Sequence, residues 1–205
     1  MTDNKLFWER MARFYAPIQE RSNAALYAAV CAHCRPYLQP HSQVLEVGCG
    51  SGQLTIALAP LAETWLATDF SERMLTEARH RCPPTVQLAL EDVTALSAAD
   101  AAFDVAIIAN ALHIMPDPAQ ALRELHRVLR PDGLLLAPTF VYEGKRSRSS
   151  RLRMWATERL GFRTYHHWSL QALADFVAAG GFQVVERTLL PGNPLPEGFV
   201  VARKC

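Results

Sequence analysis

One stretch limits what this chain can fold into more than any other: "VLEVGCGSG", Val44 to Gly52. A continuous apolar run that breaks at once into three glycines within five residues describes a buried strand, a tight turn and the start of a helix. Glycine alone reaches positive φ freely and lets a backbone come close to another molecule. Such a turn therefore usually meets a nucleotide-like ligand.

The same pattern repeats along the chain. "WLATD" (65–69), "VQLALED" (86–92), "FDVAIIAN" (103–110) and "LLLAPTF" (134–140) are predicted strands. Between them lie helices over 52–61, behind an N-cap at Ser71 with the apolar stripe Met74, Leu75 and Ala78, and over 118–129 with Leu122, Leu125, Val128 and Leu129 on one face. A further helix (169–179) leads to "FQVVERTLL" (182–190) and "GFVVARK" (198–204). Apolar strands alternating with amphipathic helices require a sheet covered on both faces, a Rossmann-like doubly wound α/β fold. Only "PGNPLPE" joins the last two strands, so they pair as a hairpin, putting one antiparallel strand into a mostly parallel seven-stranded sheet. Ligands of such sheets bind beyond the carboxyl ends of the strands, at the switch point beside the first strand.

Composition excludes several classes. At 205 residues, half apolar and a fifth charged, the chain suits one domain, at most with a small cap. A formal net charge of +1 gives no field to gather nucleic acid, and no apolar run approaches the roughly 18 residues of a membrane span. The N-terminus lacks the basic-then-apolar layout of a secretion signal, and five irregularly spaced cysteines suit free thiols. These features predict a cytoplasmic protein.

The residues around the glycines narrow the ligand. A phosphate loop ends in Gly-Lys-Ser/Thr, but Gln53 and Leu54 follow Gly52. A dinucleotide fingerprint reads G-x-G-x-x-G, whereas Gly48, Gly50 and Gly52 fall as G-x-G-x-G. Glu46, two residues before the first glycine, is unfavourable beside a pyrophosphate and favourable beside an ammonium or sulfonium. Asp69, closing the second strand, is placed to accept both hydroxyls of a ribose.

Together, "VLEVGCGSG", "ATDFSERML", "EDVTAL", "FDVAIIANALHIMPDP" and "LRELHRVLRPDGLLLAPTF" resemble, in order, the motifs of class I S-adenosylmethionine-dependent methyltransferases. The likeness is nearest to the small-molecule branch of ubiquinone and menaquinone biosynthesis, and covers about residues 40 to 140. The resemblance implies S-adenosylmethionine as cofactor and S-adenosylhomocysteine as product. It implies Gly48, Cys49, Gly50 and Gly52 against the methionine part, Glu46 and the Asn110 carbonyl toward its ammonium, and Asp69 on the ribose. It further implies Phe70 against the adenine, Asp92 and the Val93 amide on the adenine edge, and Tyr15 closing on the carboxylate.

In this reading residues 1–40 form a helical lid over a domain at 41–205, with 141–168 as a variable substrate segment. Phe7, Met11, Phe14 and Ile18 share a helical face with Trp8 and Tyr15 alongside; Phe7, Trp8 and Phe14 read as core. "CAHC" (31–34) reads as one face of a helix rather than a metal or redox site. The absence of an "NPPY"-like stretch after the fourth strand argues against DNA and protein amide N-methylation; the expected acceptor is a small, at least partly apolar molecule, with a phospholipid or quinone precursor methylated at a membrane surface as the alternative. His113, just past that strand, is the candidate base, expected to titrate near its ordinary value of about 6.5. His166 and His167 are weaker candidates. From Lys145 to Arg163 seven basic residues stand against Glu158, a local +6 that suits a solvated surface helix, a grip on an anionic acceptor, or weak contact with anionic lipid at a membrane surface. No stable membrane insertion, nucleic-acid partner or metal is expected. A cofactor-binding regulator without turnover is the rival from another class.

Overall fold

The computed structural model describes residues 3–143, 159, 161–192 and 195–205. The chain opens with two helices, α1 (Asp3–Ser22) and α2 (Ala24–Cys34), and then enters the alternating part. That part runs β1 (Gln43–Val47), α3 (Gln53–Leu58), β2 (Thr64–Asp69), α4 (Glu72–Arg79), β3 (Gln87–Leu90), β4 (Phe103–Ile108), α5 (Pro118–Val128) and β5 (Leu129–Phe140). It finishes with α6 (Leu170–Ala179), β6 (Phe182–Leu190) and β7 (Glu197–Lys204). Among the described residues the strands form one sheet in the order β3-β2-β1-β4-β5-β7-β6. Strands β1 to β5 are parallel; β7 is antiparallel to both β5 and β6, as the short link between the last strands requires. The order reverses between β1 and β4, which is where a ligand crevice opens.

Alternation along each strand divides the core into two layers. Leu45 and Val47 of β1 with Ala106 and Ile108 of β4 meet Leu122, Leu125 and Val128 of α5 and Leu173 and Val177 of α6. Val44, Val105 and Ile107 point the other way, onto Leu26, Val30 and Cys34 of α2, Leu54 and Leu58 of α3, and Leu75 of α4. Side-chain caps start three helices as their sequences indicate. Ser71 accepts from the Met74 amide, Asp117 from Gln120 and Ser169 from Ala172. Cys31 and Cys34 face this core, and burial pushes both thiols well above their ordinary range.

Two expectations change. Strand β5 begins at Leu129 rather than 134, because Arg130, Pro131, Asp132 and Gly133 bulge out while Phe103 pairs with Leu129 and Val105 with Leu134. Asp132 takes φ +63° in the bulge, and a Cβ on Gly133 would lie 2.8 Å from the Arg130 carbonyl. Phe14 is not core: it is 55% exposed on the outer side of α1, whereas Phe7 is buried and Trp8 half-buried. Among the described residues no helix is long and apolar enough to cross a membrane.

Candidate functional site

A cavity of about 360 Å³ opens at the carboxyl ends of β1, β2, β4 and β5. Gly48, Gly50, Asp69, Phe70 and Asn110 line its sheet end, and Phe7, Trp8, Met11, Tyr15 and Ile18 of α1 line the opposite wall. Phe140, Tyr142, His113, Phe162 and Thr164 close the far end. A second space of about 30 Å³, room for one water, lies behind the loop between Tyr15, Tyr27, Glu46, Cys49 and Gly50.

The loop owes its form to three left-handed glycines, Gly48 (φ +67°), Gly50 (+56°) and Gly52 (+83°). Asp69 clamps it: one carboxylate oxygen accepts from the Gly50 amide at 2.8 Å and the other from the Ser71 amide at 2.9 Å. Tyr15 lies against Gly50, where an added Cβ would come within 3.4 Å of its ring, and its hydroxyl stands 3.1 Å from that of Tyr27. Gly52 does not line either cavity; besides its left-handed φ, a Cβ there would collide with Cys82 Sγ, so its need is met within the protein.

Electrostatically this end seeks a cation. Burial raises Glu46 from its ordinary 4.5 to about 7, and Asp69 from 3.8 to about 6. Glu46 faces the small space behind the loop, held by the Thr55 hydroxyl (2.6 Å) and the Trp65 indole N–H (3.0 Å). Among the described residues neither cavity is lined by a lysine or arginine.

Asn110 carries more than its expected carbonyl. At φ +53° it donates its backbone amide to Pro138, accepts from the Phe140 amide and donates its side chain to Glu197 at 3.2 Å. Glu197 is a buried carboxyl raised by that burial to about 7, and its Oε2 has no hydrogen-bond partner among the described residues. It was invisible in the sequence, where "PEGFVV" reads only as a strand entrance. Its importance comes from β7 inserting between β5 and β6, which sets Glu197 opposite Phe140.

His113 lines the far end but differs from expectation. It is buried, stands edge-on to Phe140 at 5.8 Å, and its Nδ1 has no partner among the described residues. Burial, with His167 and His166 nearby, lowers it from 6.5 to about 3, so the ring is neutral throughout the physiological range. Its carbonyl accepts from the amides of Tyr165 and His166. His166 and His167 themselves stay outside the cavity lining, as do Tyr165 and Trp168; His166 bonds the Met115 carbonyl and Trp168 stacks on Phe176 of α6.

Asp92 and Val93 do not line the cavity either. The Asp92 carboxylate caps its own turn, accepting from the amide and hydroxyl of Thr94, and Val93 is buried in the core. Most of the basic stretch, 144–158 and 160, lies outside the described residues.

In this sheet order a glycine loop, the carboxylate that ends β2 and two further buried carboxyls meet at one crevice, the arrangement of a doubly wound α/β domain with its ligand site at the strand ends. Comparison with known proteins agrees: the Methyltransferase domain family profile matches residues 45–137. Over this stretch the chain is similar to a methyltransferase domain, and to the demethylmenaquinone methyltransferases among others. The enzyme of that name from Lactobacillus johnsonii is 36% identical over 97 residues, 43% of this chain and 40% of the relative. An uncharacterized chloroplastic methyltransferase of Arabidopsis thaliana is 31% identical over 122 residues, 54% of this chain and 34% of the relative. The chain thus spans less than half the length of these curated relatives. In fold, a methyltransferase of Thermotoga maritima superposes with a TM-score of 0.75 at 22% identity, over 97% of each chain.

Proposed function

We propose that this protein transfers a methyl group from S-adenosylmethionine to a small, at least partly apolar acceptor, with α1 as a lid over both. The observation that carries this reading is the cavity itself. One end is a glycine loop with buried carboxyls and, among the described residues, no basic lining; the other is a wall of Phe7, Trp8, Met11, Phe140 and Phe162. The donor's residues fit at the first end: Asp69 retains lone pairs beyond its two backbone bonds for a ribose diol, and Gly48, Gly50 and Asn110 offer backbone to the methionine part. Glu46 acts through the one-water space, Tyr15 covers the loop, and Phe70 bounds the cavity beside Asp69. Asp92 and Val93 keep their proposed adenine role at the margin, beyond the enclosed cavity. When bound, S-adenosylmethionine supplies an electrophilic methyl on a sulfonium with a neutral leaving group.

The chain's own contribution is alignment and exclusion of water. His113, neutral and partnerless at Nδ1, accepts the hydrogen bond of an acceptor hydroxyl or amine and so orients it. The cavity is near the lower limit of the roughly 300–1,000 Å³ typical of ligand pockets, enough for one small ligand. Acceptor entry therefore requires α1 or the 161–166 segment to move, and the Asn4 side chain, bonded to the Ile114 and Arg163 carbonyls and the Arg163 amide, is the latch between them. The relatives favour a narrower version, a quinone-precursor acceptor. The five free cysteines favour the cytoplasm as its place of work.

The test is calorimetric titration with S-adenosylhomocysteine, followed by a product assay with phenolic, quinol and amine acceptors. Binding with turnover on one class supports the reading. Binding without turnover on any supports the regulator, and absence of binding removes the reading altogether.

A further inference from the structure

The residues of α1 that turn away from the cavity form a surface of their own. Leu6, Arg10, Arg13, Phe14, Pro17, Ile18 and Arg21 are exposed, and their spacing of three and four puts them on one helical stripe. Of the seven exposed large apolar residues among the described ones, three, Leu6, Phe14 and Ile18, lie here. The opposite side, Phe7, Ala12 and Ala16, is buried.

Charge on this helix is sorted by side. Its glutamates are engaged: Glu9 pairs with Arg73 and Glu20 with Arg81, both tying α1 to the domain. Among the described residues Arg10, Arg13 and Arg21 have no carboxylate partner; Arg13 only lies near the Phe14 ring, 5.9 Å away. A solvated face would not need Phe14 55% and Ile18 48% exposed among three unpaired arginines. Apolar residues that can sink a few ångströms, interleaved with guanidinium groups, match the interface of an anionic bilayer. Ile18 also lines the cavity, so the exposed stripe and the pocket share a residue.

We propose that the outer face of α1 docks on an anionic membrane surface, which presents an apolar acceptor directly to the edge of the cavity. The supply of acceptor rests on the methyl-transfer reading; the docking itself does not. Contact with lipid would draw on the same helix that bounds the pocket, coupling docking to opening.

The experiment is co-sedimentation of the full chain with vesicles of phosphatidylglycerol and phosphatidylcholine, or of phosphatidylcholine alone, at low and high salt. Three forms are compared: wild type, Arg10→Gln/Arg13→Gln/Arg21→Gln, and Leu6→Ser/Phe14→Ser. Circular dichroism and S-adenosylhomocysteine affinity report folding separately, because all five positions face away from core and cavity. Salt-sensitive binding to anionic vesicles is expected, weakened on the order of a hundredfold by removing three arginines at roughly fivefold each and at least tenfold by the serine pair. Equal binding to neutral vesicles, binding that survives both variants, or no binding overturns the proposal. So does concentration-dependent self-association that the serine pair abolishes. Loss of acceptor turnover with vesicle binding intact would count against the methyl-transfer reading alone.

Discussion

The two ends of the cavity are built differently. The sheet end comes from residues at consecutive strand ends, Gly48, Gly50, Asp69 and Asn110, fixed by backbone hydrogen bonds and left-handed φ values. The far end is assembled from side chains far apart in sequence: Phe7 and Trp8 of α1 meet Phe162, with ring centroids at 5.2 and 5.7 Å, and His113 meets Phe140. The first end is tied by main-chain amides of the glycine loop and of the α4 cap. The second depends on aromatic contacts between segments far apart in sequence.

The sharpest break between the two ends should come at His113. If it orients the acceptor, His113→Ala lowers kcat by ~10², the scale of lost alignment, while S-adenosylhomocysteine affinity stays unchanged. Because the ring is already neutral, the rate should show no histidine limb between pH 5 and 8 in either protein. A loss under about fivefold makes His113 a packing residue.

At the sheet end the effect falls on affinity instead. Asp69→Ala should cost on the order of 2–4 kcal/mol of donor binding, at least tenfold in Kd. Asp69→Asn separates the ribose contact from the loop clamp, because one amide oxygen can still accept from Gly50. Calorimetric affinities equal to wild type in both variants would remove Asp69 from the site.

Stability against pH sharpens the same contrast. Glu46, Asp69 and Glu197 have folded pKa values above their unfolded ones, so the fold binds extra protons and loses stability as pH rises through about 6–7. His113 works oppositely, costing stability as pH falls below 6.5, so the window from 6.5 to 8 belongs to the carboxyls. Across that window the ligand-free protein should lose on the order of 1 kcal/mol at each of Glu46 and Glu197 and much less at Asp69, which is mostly ionised by pH 6.5, read as a falling Tm. Glu46→Gln with Glu197→Gln should flatten the curve; a curve that still falls as steeply would place the effect elsewhere.

The smallest effect is expected at the aromatic end. Phe162→Ala removes edge contacts to Phe7 and Trp8 worth roughly 0.5–1.5 kcal/mol each. It should raise acceptor KM with little change in donor Kd, and protease cutting within α1 should quicken.

Much of this was legible in the residues. The alternating strands and helices, the final hairpin and the loop follow from apolar periodicity and glycine spacing, both local signals, whereas the order of the strands in the sheet does not. Asp69, Gly48, Gly50 and Asn110 are at strand ends, so placing the strands places them. Phe14 was misjudged because helical spacing groups residues on a stripe without saying which side faces the protein. The ordinary titration expected of His113 failed for a related reason: spacing puts the ring near the cleft, but its environment comes from Phe140, His166 and His167, distant in sequence.

The sequence by itself determined the class of sheet, the crevice beside β1, and a glycine loop without the lysine of a phosphate loop, because each depends on neighbours a few residues apart. Only the tertiary structure decided that Glu197 supports Asn110, that Gly52 answers to Cys82, that Asp92 caps its own turn, and that α1 turns arginines and phenylalanine outward. These are long-range packing outcomes. Burial and hydrogen-bond partners, which set charge and reactivity, exist only once the distant segments have met.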